Sequence, residues 1–315
     1  MRRRTTMRQV PLLLSLLVFT HTAFGLVSPW KTRDTEDALS RSIAGILSWP
    51  ERTETPPRAM EERLLALMEE HASEEDKGII YASIAQMYSH AREDASTDDD
   101  MGKQAAKYAR LALAEPLDPR TACSMYSLWG HVTSRRRIGL PPAEFAAARR
   151  RAVLLYLLGL KCALDNGAPV DRQHVPGVGA YQIRGGPDSP ELQAAQRKHA
   201  REMEARERAM LLNELAEYRY LFVINCVFLY DTEPYDSEEL RAFSEEILIG
   251  HEDVAEGIMR KLAWWHENKR GWQGPPPRDS DFPPDVRVGA DATDAAPEAP
   301  TEGEARPNEG QRPKG

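Results

Sequence analysis

Between Ile79 and Leu164, large and small apolar residues recur at helical-turn spacing, and this stretch narrows the possible folds more than any other. Its first helix carries Tyr81, Ile84, Ala85 and Tyr88, so a ring, a small residue and a second ring follow one another along one side. Ala105, Ala109 and Ala112 recur at i, i+4 and i+7 in the next helix, where small side chains let a neighbour approach. The pattern restarts at Tyr126 with Trp129-Gly130 and closes, after a further apolar helix, at Ala163-Leu164. Spacing of this kind predicts an all-α core.

With Pro119 at the turn after Ala112-Leu113, these residues resemble the tetratricopeptide repeat, in which aromatic, Leu-Gly, aromatic, Ala, aromatic, Ala and Pro positions follow in order. Trp129-Gly130 stands where that family has Leu-Gly. The match departs from the family pattern in three places. The connection Glu93 to Asp100 is longer than the family's tight turn, Pro119 falls two residues late, and the helix from Pro142 to Asp165 exceeds a repeat helix. The resemblance implies antiparallel helical hairpins stacked as a short tetratricopeptide-like array; a helical core without repeats would be an irregular bundle. It also implies a partner surface on the concave side, near Tyr81, Tyr88, Tyr126 and Trp129 where they reach solvent.

The rest of the chain frames that core. Residues 1–25 combine Arg2-Arg3-Arg4, an apolar run from Val10 to Phe19 and the small residues Ala23 and Gly25 at the -3 and -1 positions of a cleavage site, the three parts of a secretory signal peptide. The expectation is export to a periplasmic or extracellular location, with membrane attachment only if the signal stays uncleaved. Residues 26–58 hold a short amphipathic helix around Leu39, Ile43, Ile46 and Leu47. The repeat-like core then spans 59–165. Thr55 caps its first helix with Pro56 at the first helical position. That helix turns Met60, Leu64, Leu67 and Met68 inward and Glu61, Glu62, Glu69 and Glu70 to water. Ser73 and Asp118 cap later helices, and Asp98-Asp99-Asp100 complement a helix N-terminus.

Residues 166–190 are rich in Gly and Pro, and a connection of that length inside a compact domain is either functional or disordered. Its Asp171, His174, Tyr181 and Arg184 form an alternative ligand site if they converge. Residues 191–273 are helical, beginning with one long helix to Tyr230 that is polar as far as Arg208 and apolar afterwards; the polar half is a possible oligomer contact. Asp236-x-x-Glu239 opens the last helical section, whose end carries Trp264, Trp265 and Trp272. Residues 274–315 are acidic, rich in Pro, Gly and Ala, and nearly lack large apolar residues, which predicts disorder.

The net charge of -8 with 29% charged residues argues against a nucleic-acid partner, which needs Lys and Arg gathered on one face. Arg149-Arg150-Arg151 lies on a helix, where successive residues turn about 100° and the charges fan out into solvent. Cys123, Cys162 and Cys226 sit in apolar helical segments without the close spacing of a metal or redox motif, so each reads as a small buried hydrophobe. No His pair has zinc-protease spacing, and no Ser is framed by glycines as in a nucleophile elbow. No cofactor or metal is expected. The leading expectation is therefore an exported helical-repeat protein that binds or assembles with a protein or peptide partner without catalysis. The runner-up is a small-ligand-binding protein or enzyme with its site under the 166–190 loop.

Overall fold

The computed structural model describes residues 38–48, 55–71, 73–90, 98–135, 140–177, 190–231, 235–268, 282–283 and 286. Of these, 82% are helical and none lies in a strand, as the periodicity predicts. Nine helices occur among the described residues. They are α1 (Ala38–Ile46), α2 (Pro57–Glu70), α3 (Glu74–His90), α4 (Asp98–Ala112), α5 (Pro119–Arg135), α6 (Pro142–Asp165), α7 (Pro190–Tyr230), α8 (Ser237–Ile247) and α9 (Glu252–Asn268).

Each helix packs on the next, and the odd-numbered helices also touch in succession: α1 with α3, α3 with α5, α5 with α7, α7 with α9. That is the contact pattern of hairpins laid side by side, and it extends beyond the stretch in which spacing reveals it. Polar contacts give the directions. Gln86 of α3 donates to Ser124 of α5 across 3.3 Å, and Ser124 bonds in turn to Tyr218 of α7. Nearer the helix starts, Arg120 of α5 pairs with Glu214 of α7. Positions on α5 and α7 thus advance together, so the two run parallel. Helix α6 is antiparallel to α5, with Cys123 against Gly159 and Gly130 against Tyr156.

Two glycines set the close approaches. A Cβ built on Gly130 would stand 2.6 Å from the ring of Tyr156, and one on Gly159 would stand 2.5 Å from the ring of Phe222. Each ring fills the place of a side chain that is missing. On the α3–α4 seam alanines do the same work: Ala85, Ala105, Ala109 and Ala112 are completely buried, with Tyr81 packed against their cluster. The apolar residues form two cores with α5 as the common wall. Met125, Leu128 and Val132 face the core built with α1 to α4, whereas Cys123 faces the core built with α6 to α9.

Helix starts follow the expected chemistry at most positions. The Asp76 N–H donates to Ser73 Oγ (3.1 Å), Asp118 Oδ1 accepts from the N–H groups of Arg120 and Thr121 (3.0 and 3.1 Å), and Asp236 accepts from that of Glu239 (3.0 Å). Asp98 to Asp100 form the first turn of α4. At α2 the expected start is one residue early. Pro56 is the N-cap, Pro57 takes the first helical position, and no side chain caps the helix, so Thr55 does not serve as cap.

Three further expectations are corrected. Glu61 does not simply face water, because its carboxylate accepts hydrogen bonds from the hydroxyls of Tyr88 and Tyr108. Arg149 does not fan out into solvent; it is 3% exposed and pairs with Glu239 at 3.3 Å while its guanidinium lies 4.5 Å from the centre of the Tyr230 ring. Phe282 and Val286, in the segment read as tail, are buried in the second core. The rest of the expected tail and residues 1–25 lie outside the described residues.

Candidate functional site

The most developed arrangement of polar side chains lies where the segment after α6 crosses α7. Helix α6 ends in a Schellman motif: the Ala168 N–H reaches Ala163 O (3.0 Å), the Gly167 N–H reaches Leu164 O (2.9 Å), and Gly167 takes the left-handed conformation (φ 80°) that glycine adopts without strain. The chain then turns back along α7. Arg219, buried, donates to Ala168 O at 3.2 Å. Arg172 pairs with Glu217. Asn213 holds Gln173 at two points, accepting from its N–H at 2.6 Å and donating to its C=O at 2.9 Å.

A single carboxamide that both accepts from and donates to one residue's backbone copies the bonding of a neighbouring strand, and it does so whatever the side chain of the residue held. Sequence reasoning misses it because nothing near Asn213 in the chain marks a residue whose partner is the backbone of another segment. At the near edge of this ledge, Glu214 shares hydrogen bonds with Arg120. Burial raises the Glu214 carboxyl above its ordinary range, against the opposing pull of the Arg120 guanidinium. Tyr218, one turn further, is pushed up to about 12, chiefly by burial, with the hydrogen bond from Ser124 acting in the other direction.

The expected aromatic residues occupy two cores. Tyr81 and Tyr88 gather round Tyr108, with ring centroids 6.0 and 6.3 Å from it, the latter pair nearly parallel. Tyr88 is 5% exposed, and burial followed by the Glu61 carboxylate raises the hydroxyls of both Tyr88 and Tyr108. Trp129 is half-buried against the same core, whereas the half-buried Tyr126 packs on the other. Tyr108 and Glu61 complete this cluster from α4 and α2, a convergence across three helices that no local spacing announces. Of the alternative loop site, Asp171 and His174 are exposed, and Tyr181 and Arg184 lie outside the described residues.

Two further features lie away from the ledge. Between α8 and α9 lies a cavity of about 370 Å³ lined by Ser244, Leu248, Ala255 and Met259, with Arg241, Glu245, Glu252 and Glu256 also around it. At the end of α9, Trp264 and Trp265 enclose Phe282 at centroid distances of 5.1 and 5.9 Å, while Trp265 meets Phe228 of α7 edge to face. Among the described residues no helix is long and apolar enough to cross a membrane, and no three His, Cys, Asp or Glu side chains gather as a metal site would require. An all-helical stack of hairpins is the class that fold and ledge define. No family model, no curated protein and no solved structure matches the chain.

Proposed function

We propose that this chain is a tetratricopeptide-like helical array that binds an extended polypeptide segment of a partner, and that it acts after export as a binding or assembly module. One observation carries the reading: α7 already holds a non-helical stretch of chain through side chain to backbone bonds, from Asn213 to Gln173 and from Arg219 to Ala168. Bonds of this kind recognise a polypeptide as such, and they suit a partner that arrives unfolded. The enclosure of Phe282 by Trp264 and Trp265 supports the same reading, since the stack accepts an aromatic anchor from a non-helical segment there. On this reading residues 168–173 occupy the ledge when no partner is bound, and a partner strand replaces them.

The test is selection of random extended peptides on the immobilised protein, followed by anisotropy titration of the enriched ones against two variants. Arg172→Ala loosens the resident segment but leaves α7 intact, so it should tighten peptide binding several-fold. Asn213→Ala removes the two-point bracket and should weaken binding by about tenfold, the cost of a good hydrogen-bonded contact. Peptides that bind both variants as they bind the wild type would remove α7 from the proposal, and failure of any peptide class to enrich would remove the proposal itself.

A further inference from the structure

We propose that Cys123 and Cys162 are a working dithiol that closes to a disulfide across the α5–α6 seam by exchange with a small-molecule or protein disulfide. Cys123 is completely buried on α5 and its sulfur lies 3.7 Å from Gly159 O of α6. Cys162 lies one turn beyond Gly159 on the same helix, and the two thiols hydrogen-bond to each other. The antiparallel packing of α5 and α6 brings them together although they are far apart in the chain, so their spacing in the sequence conceals the pair. Cys162 is half-buried at the edge of the core and is the more exposed of the two residues.

The two sulfurs differ in the way an exchange reaction requires. The hydrogen bond from Cys123 lowers the Cys162 thiol, more than offsetting burial and the nearby Asp165 and Asp118 carboxylates, while that same bond and burial raise Cys123. Cys162, the more exposed of the two, is the attacking sulfur, and Cys123, completely buried, is the resolving one. The Cys162 thiolate attacks one sulfur of the reagent, whose S–S bond breaks, and one half leaves as a thiol. Cys123 then loses its proton and attacks the Cys162 sulfur of the mixed disulfide, expelling the second half as a thiol. The protein dithiol is oxidised by two electrons, the reagent disulfide is reduced to two thiols, and the two protein protons end on those thiols. Cys226, fully buried and raised by burial alone, takes no part.

Full-length protein is incubated with oxidised glutathione, denatured, alkylated and digested, with melting followed in parallel. The three alkylatable thiols of the untreated chain should fall to one, at Cys226, with a cross-linked peptide joining Cys123 to Cys162. The closed form should melt about 5–10 °C higher, because the link constrains a long loop of the unfolded chain. Cys226→Ala should lose both remaining thiols on oxidation. Cys162→Ser should form no internal link. Three thiols after oxidation, or a glutathione adduct that persists on Cys162, would overturn the proposal.

Discussion

At Gly159 the missing side chain positions a ring. Phe222 occupies the space a Cβ would need, stacks against Tyr218 and lies tilted beside Tyr156, so a methyl group there displaces a side chain held on three sides. Gly159→Ala should cost about 1–3 kcal/mol from overpacking, reduced by the roughly 1 kcal/mol that alanine gains over glycine in a helix. Gly45→Ala is the control: nothing lies within 4 Å of its Cβ position, so only the helical gain remains and the variant should be neutral or slightly more stable. Urea denaturation of both decides it, and equal effects would show that the α6–α7 seam has slack. The alanine seam of α3 and α4 was legible because small residues at turn spacing lie on one helix at a time. Glu61 was not, because its partners Tyr88 and Tyr108 belong to two other helices and nothing near Glu61 in the chain marks it. Asn213 was hidden for the same reason, its partner being the backbone of Gln173.

Among the elements, α8 is tied to its neighbours through one carboxylate. Glu239 accepts from the Tyr230 hydroxyl of α7 at 2.7 Å and pairs with Arg149 and Arg150 of α6, Arg149 being almost fully buried. Burial acts to raise the Glu239 carboxyl, but the Tyr230 hydroxyl and the two guanidiniums outweigh it and hold the group below the usual glutamate range. A depressed folded pKa means that the unfolded chain takes up this proton first as pH falls. The stabilisation is therefore complete above the unfolded glutamate value of about 4.3 and is lost as pH drops through the folded one. Glu239→Gln should cost roughly 3 kcal/mol near neutral pH, since a buried guanidinium loses a charged partner. The gap in melting temperature from wild type should narrow below about pH 4; a gap that stays constant with pH would show that shape, not charge, holds α8. Element boundaries were readable from capping residues such as Ser73, Asp118 and Asp236, whose effect is local. The path of residues 168–173 was not, because backbone bonds to α7 side chains fix it.

For the whole molecule, contacts between successive helices and between alternate ones make the stack nearly one-dimensional, and among the described residues α5 contributes side chains to both cores. The sequence pattern exposed one hairpin and the start of a second, where aromatic and small residues fall into register. It read the later helices but not how they pack, because α6 and α7 use Gly159 and Phe222 where α3 and α4 use alanines. In such an array a lost contact destabilises its own core first, and the effect passes onward only through the helix both cores share. Leu64 of α2 is completely buried in the first core, so Leu64→Ala should cost about 2–5 kcal/mol. Hydrogen exchange read by mass spectrometry should then show faster opening across α1 to α4, while the buried half of α7 and α9 keep their protection. Met125→Ala, equally buried but on α5, should raise exchange on both sides. If Leu64→Ala accelerated exchange equally from α1 to α9, the two cores would form a single cooperative unit, and α5 would act as part of one body instead of as a wall between two.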